Sequence, residues 1–201
     1  MKYMKIKRFF DICFSMILII ILIPLWIVII VVMKIEDFNG PIVYKQERIG
    51  LAGSKFIMYK FRSMVVDADS LKCELEQVNE QSGPIFKIKK DPRITKVGSI
   101  LRKTSLDEFP QLLNIIRGEM SLIGPRPALP SEVEKYSDYQ KKRLSVKPGC
   151  TGLWQVSGRS NLNFDQMLQL DLEYIENYGA LTDIKIFFKT FKIILTREGA
   201  Y

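Results

Sequence analysis

The sequence predicts an α+β, mostly helical protein, in which an N-terminal membrane-inserted helix (residues 1–36) precedes a larger water-exposed domain (residues 37–201). Three observations predict this. Residues 16–33 form an unbroken apolar run of 18 residues, Pro24 included, at the lower end of what crosses a bilayer as a helix. Two short segments of alternating polarity follow, separated by a glycine-containing turn. From residue 107 onward, apolar residues recur at helical spacing and no βαβ alternation appears.

The apolar run is longer than the core of a secretory signal and lacks a small-x-small cleavage site after it, so it reads as an anchor. Its flanks are both basic. The segment before it carries Lys2, Lys5, Lys7 and Arg8 against Asp11, a net +3, and the rest of the chain carries +5 of the total +8. Positive charge stays on the cytoplasmic side of a membrane. A helix that enters, breaks at Pro24 and returns to the same face satisfies both flanks, because proline removes a backbone donor and kinks a helix. An ordinary kinked span is the alternative.

Beyond the anchor, "GPIVYKQERIG" (40–50) and "SKFIMYKFRSM" (54–64) read as strands around a turn at 51–54. Alternation throws Lys60 and Arg62 onto one face. Residues 65–81 read as a polar helix. Residues 82–98 read as turn and strand, interrupted at Gly83-Pro84 and Asp91-Pro92. Helical patterns cover 107–117, 131–145, 164–178 and 181–197. The last carries Lys185, Lys189 and Lys192 beside Ile184, Phe187, Phe188, Phe191, Ile194 and Leu195. A cationic stripe next to a broad aromatic face fits a helix lying in the membrane interface, and also fits a core helix with one solvated stripe.

Composition narrows the chemistry. A net +8 with pI near 9.3 favours anionic partners. The 22 acids are interleaved with the bases and no nucleic-acid-binding motif occurs, so nucleic acid is not the expected partner. Cys13, Cys73 and Cys150 are scattered, and the chain has no histidine. That argues against a disulfide framework or a zinc site and removes Ser-His and Cys-His chemistry. Neither a P-loop nor a G-x-G-x-x-G is present. The loops "LIGPRP" (122–127) and "KPGCTGLWQVSGR" (147–159) instead embed Arg126 and Arg159 among glycines and prolines, a setting suited to close approach of phosphate. Arg126 is flanked by two prolines that restrict its direction.

The stretch "TSLDEFPQL" (104–112) places Asp107 and Glu108 side by side. Ser105-x-x-Glu108 matches a capping box, but that frame puts Pro110 where a helical N–H is needed. With Asp107 as N-cap, Pro110 becomes the third helical residue and loses nothing, and Leu112, Leu113 and Ile116 form the buried stripe. A carboxylate at a helix start is oriented and kept ionised, as a carboxylate nucleophile or a metal ligand requires. If it attacks phosphate, a cation must lie between the anions; Mg²⁺ does this with one or two carboxylates and the substrate's own phosphates. Arg102, Lys103 and Arg126 are near in sequence.

"KRFFDI" (7–12), "YKFRSM" (59–64), "DPRITKVGSILRKTSLDEFPQLLNIIRGEMSLIGPRP" (91–127), "KPGCTGLWQVSGR" (147–159) and "DLEYIENY…DIKIFFKT" (171–190) together resemble the bacterial sugar transferases, the monotopic phosphoglycosyl transferases. The resemblance runs from about residue 7 to the C-terminus and covers the catalytic module, without the extra N-terminal membrane domain of larger members. It implies transfer of a sugar 1-phosphate from a UDP-sugar to undecaprenyl phosphate at the cytoplasmic face of the bacterial inner membrane, with UMP released. It implies Asp107 as the nucleophile of a ping-pong reaction, Glu108 and Asp107 at Mg²⁺, Arg126 on phosphate and Arg102 nearby. Lys60, Arg62 and Arg159 join these as candidate phosphate-binding cations. The family's re-entrant helix is often broken at Ser-Pro, whereas Ile23 precedes Pro24 here, leaving Ser15 or the kink itself to serve. The 65–90 segment and "GLWQVSGR" look most like exopolysaccharide and capsule members, where hexose 1-phosphates are common. A homodimer stays open. A reading from another class is a membrane-anchored scaffold, or a binder of anionic polymer, without catalysis; Asp107→Asn separates it from the transferase.

Overall fold

The computed structural model describes residues 2–71, 88, 91–158 and 162–196. It opens with a single helix, α1 (Lys2–Glu36), which keeps Pro24 inside it. At 1.5 Å per residue this is about 50 Å of helix. The body is built from β1 (Val43–Ile49), β2 (Lys55–Phe61), α2 (Lys96–Lys103), α3 (Gln111–Arg117), β3 (Ser121–Ile123), α4 (Pro130–Val133), α5 (Asp138–Lys141), β4 (Gly149–Thr151), α6 (Phe164–Glu176) and α7 (Ala180–Thr196). The mostly helical α+β expectation is met, with two small two-stranded sheets.

The expected hairpin forms. β1 and β2 pair antiparallel from Val43 opposite Phe61 to Ile49 opposite Lys55, turning through Leu51–Gly53 with Ala52 and Gly53 at positive φ. The outer edge of β2 is satisfied by one side chain. Buried Asn114 of α3 accepts from the Tyr59 amide at 3.1 Å and donates to the Ile57 carbonyl at 2.6 Å. These two backbone groups lie two residues apart and face away from β1, so the amide stands in for a third strand.

Three elements differ from expectation. Residues 96–103, of which the sequence places 96–98 in a turn-and-strand segment and gives the rest no element, form α2, whose N-cap Thr95 accepts from the Gly98 amide at 2.9 Å. The Thr-x-x-Gly start hid the cap, and Gly98 lowers helical propensity where it is needed for packing: a Cβ there would stand 2.0 Å from the Ser63 carbonyl oxygen. The single helix expected over 131–145 is instead α4, α5 and a 3₁₀ turn over Lys142–Ser145, because Ser137 starts a new capping box with Gln140. The loops at 122–127 and 147–159 contain the parallel pair β3–β4, Ser121 opposite Gly149 and Ile123 opposite Thr151. Their glycines serve this contact: a Cβ on Gly149 would lie 2.1 Å from the Gly124 nitrogen. Of the polar helix expected over 65–81, residues 72–81 lie outside the described residues, and 66–71 form turns.

α1 is docked along its length. Near its start, Tyr3 and Lys7 donate to Asp183 of α7, and Arg8 caps the last carbonyls of α3 at Ile115 and Ile116. Asp11 accepts from the Ser121 hydroxyl at 2.8 Å and the Leu122 amide at 3.1 Å. In the middle, Leu18 and Ile19 pack on Phe56, Met58, Leu112, Ile115 and Met120. Farther on, Trp26, Ile29 and Met33 pack with Phe61 and Leu101. At its end, Glu36 accepts from the Val97 amide at 3.0 Å, and Asp37 pairs with Arg62 at 2.9 Å. The opposite face leaves Phe9, Phe10, Ile17, Ile20, Ile21 and Val28 exposed. The Ser15 hydroxyl is buried without a hydrogen bond, so it does not satisfy a carbonyl freed at Pro24, as the sequence allowed.

Candidate active site

The dyad sits where α2 hands over to α3. The chain leaves α2 through Ser105, which takes a left-handed conformation (φ 57°), uncommon for a residue with a Cβ and the kind of local strain that collects at functional sites. A 3₁₀ turn over Leu106–Glu108 follows, with the Glu108 amide bonded to the Ser105 carbonyl and the Phe109 amide to that of Leu106. Pro110 then caps α3. Asp107 is therefore held inside a tight turn rather than at the α-helix N-cap, which falls at Pro110. The buried stripe shifts accordingly: Leu112, Asn114 and Ile115 are buried while Leu113 is exposed.

Asp107 is 7% exposed. Burial, foremost, pushes its carboxyl up to about 6; Lys60 and Arg102 oppose the rise and Glu108 adds to it. Glu108 is held by Lys60 of β2, whose Nζ lies 2.7 Å from Oε1. Arg102 projects from the last turn of α2 and donates through Nε to the Ser63 hydroxyl at 2.8 Å. Its guanidinium is pulled below its ordinary range by burial, with Asp107 opposing. The three segments that meet here are fixed independently: β2 by its hairpin and Asn114, α2 by the Gly98–Ser63 approach, α3 by its contact with α1.

The structure thus brings Asp107, Glu108, Lys60 and Arg102 together. Arg62 turns elsewhere, donating to the Pro41 carbonyl at 2.7 Å and pairing with Asp37, where it clasps the end of α1 to β2. The strand ends at Phe61, so the shared face that alternation gave Lys60 and Arg62 does not extend to a shared site. Arg126 is one-third exposed and faces Glu132 at 3.6 Å. It lines a small surface depression together with Glu132, Arg143, Trp154, Phe164 and Met167. Arg159 lies outside the described residues. Sequence reasoning passed over Arg48, Asn114 and Ser63. Asn114 carried a signal, being an amide flanked on both sides by apolar residues in "LLNII"; Arg48 carried none beyond its place in a strand.

The chain matches the bacterial sugar transferase family over residues 2–197. It is 47% identical over 195 residues to the galactosyl transferase CpsE of Streptococcus agalactiae, covering 96% of this chain and 43% of that protein. It is 45% identical over 204 residues to the undecaprenyl-phosphate galactose phosphotransferase of Salmonella typhimurium, covering 98% and 42%. It is 41% identical over 199 residues to the exopolysaccharide production protein ExoY of Sinorhizobium fredii, covering 97% and 88%. The chain thus spans less than half the length of the first two relatives and most of the third.

Proposed function

The chain belongs to the bacterial sugar transferase family, and on that premise we propose that it moves a sugar 1-phosphate from a UDP-sugar to undecaprenyl phosphate, releasing UMP, as the first membrane step of exopolysaccharide, capsule or O-antigen synthesis. The observation that carries the reading is the Asp107–Glu108 dyad, set in a strained turn with Asp107 buried and faced by Lys60 and Arg102. An Asp107 oxygen attacks the phosphorus that bears the sugar, and the bond from that phosphorus to the UMP oxygen breaks. The product is a sugar-phospho-aspartyl enzyme. An oxygen of undecaprenyl phosphate then attacks the same phosphorus and displaces the Asp107 carboxylate, giving undecaprenyl-diphosphate-sugar. Neither exchange draws a proton from a carbon or an alcohol, so the lack of histidine is no handicap.

The dyad suits Mg²⁺, a hard ion that binds protein through one or two carboxylates and takes its other ligands from water and phosphate. Among the described residues no group of three acids, cysteines or histidines competes for it. Asp107 and Glu108 would hold it, and when bound it supplies positive charge between the carboxylates and the donor's diphosphate. Lys60 orients Glu108, Arg102 offsets charge at Asp107, and Arg126 is assigned to phosphate.

The exposed apolar faces of α1 and α7 support a membrane-associated reading, with Leu181, Ile184, Phe188 and Phe191 of α7 outward. Both ends of α1 are bonded to one body, which supports both ends lying on the same side of the membrane over delivery to opposite sides. The names of two relatives carry galactose, so a hexose 1-phosphate, galactose first, is the expected cargo. The test is UMP release from a panel of UDP-sugars with undecaprenyl phosphate and Mg²⁺, in detergent or nanodiscs. Release with UDP-galactose, abolished by Asp107→Asn, is expected; an Asp107→Asn protein as active as wild type overturns the reading.

A further inference from the structure

The described residues include four buried arginines: Arg48, Arg62, Arg93 and Arg143. Three are paired with a carboxylate, Arg62 with Asp37, Arg93 with Asp91 and Arg143 with Asp171. Arg48, 5% exposed, is bonded only to neutral oxygens. Its Nη1 donates to the Pro127 carbonyl at 2.9 Å, and its Nε and Nη2 donate to the Gln46 side-chain oxygen at 3.1 and 2.6 Å. A buried cation without a counter-ion is costly to hold, and proteins retain one where an anion arrives to meet it.

Its surroundings say which anion. Burial presses the Arg48 guanidinium down to about 9, and the ionisable neighbour that weighs most on it is another cation, Arg126, ahead of Glu132, Tyr44 and Glu108. Arg48 is therefore charged at neutral pH, adjoins the Arg126 loop and is within electrostatic reach of Glu108 of the dyad. It also fixes that loop: its bond to Pro127 adjoins Arg126, and the neighbouring Ile49 amide donates to the Ala128 carbonyl at 2.9 Å. Lys60 stands on the other side of Glu108.

We propose that Arg48 is the buried cation of the phosphate site, a positioning residue that holds the Arg126 loop in register with the dyad and supplies a fixed, uncompensated positive charge to a substrate phosphate. The inference rests on the transferase reading. The anion is a phosphate of the donor or of the lipid acceptor.

The test compares full-length wild type, Arg48→Gln and Arg48→Lys in nanodiscs. For each, the apo melting temperature, its shift on adding UDP with Mg²⁺, kcat, and separate KM values for UDP-sugar and undecaprenyl phosphate are measured. Arg48→Gln is expected to leave the apo melting temperature unchanged or raise it. It should also raise KM for one substrate about tenfold or more, with kcat changed less. A donor-side rise with a diminished UDP shift assigns the anion to the diphosphate, and an acceptor-side rise with an intact UDP shift assigns it to the lipid phosphate. Arg48→Lys, which keeps the charge and loses the fork, should fall between. A lower apo melting temperature with both KM values unchanged makes Arg48 purely structural and overturns the proposal. Should Arg48→Gln fail to fold, unchanged KM values in Arg48→Lys overturn it equally. Wild-type protein that shows neither a UDP shift nor turnover would instead count against the transferase reading itself.

Discussion

Asp107 is stabilised least in the state that chemistry needs. Its carboxyl has an ordinary value of 3.8 and is raised to about 6 in the fold, chiefly by burial. A raised carboxyl contributes most to stability below its unfolded value and loses that contribution as pH rises through the folded one. At pH 7.5 the ionised group therefore works against the fold, by up to about 3 kcal/mol on this shift. Asp107→Asn should abolish turnover while raising the melting temperature at pH 7.5 by several degrees, and the gain should shrink when melting is repeated near pH 5. Scanning calorimetry at the two pH values checks this; a variant less stable at both would contradict the burial argument. The same ionisation governs rate. Formation of the aspartyl intermediate should fall at acid pH as Asp107 takes up a proton, with the fall displaced to lower pH at higher Mg²⁺ because the bound cation favours the carboxylate; single-turnover quench-flow at two Mg²⁺ concentrations would give a flat profile if Asp107 were not the titrating group.

At the scale of elements, the site depends on a backbone approach that only glycine permits. A Cβ on Gly98 would meet the Ser63 carbonyl at 2.0 Å, and Ser63 also anchors Arg102. Gly98→Ala should therefore cost about 3 kcal/mol and lower kcat through Arg102, as read by thermal melting and UMP release. The hairpin and the two long C-terminal helices were legible in the sequence because period-2 and period-3.6 patterns are local. α2 was not, because its glycine and threonine are chosen for a contact with residue 63, some 35 residues away. The β3–β4 pair was not either, since three-residue strands rich in glycine carry no period. The topology of α1 is tested by single cysteines. With the native cysteines changed to serine, Lys2→Cys and Ile35→Cys should both label from the same side of sealed vesicles. Labelling from opposite sides would refute the returning helix.

The whole molecule is a body of modest core held against a long apolar helix. α1 contributes to both the Phe56–Met120 and the Phe61–Leu101 clusters, so it is a structural part of the body. α1 and α7 leave large apolar side chains exposed, Phe9 and Phe10 on one and Phe188 and Phe191 on the other. Replacing Phe188 and Phe191 of α7 with serine should lower partition into anionic vesicles in a flotation assay with the dyad geometry unaffected. The acids of the site were legible because Asp-Glu followed by a proline stands in a long, specific block. The assembly around them was not, since Lys60, Arg48 and Asn114 come from segments 45 to 60 positions away or from the far side of a helix, and only the fold makes them neighbours.

The most direct measurement of the central claim is an intact-mass spectrum of the protein in nanodiscs after incubation with Mg²⁺ and a panel of UDP-sugars, with lipid acceptor withheld. A mass increase of one sugar phosphate that maps to Asp107, is absent in Asp107→Asn and is discharged by undecaprenyl phosphate is the predicted result. UMP release on adding the acceptor, with no adduct at any time before it, would contradict the covalent account.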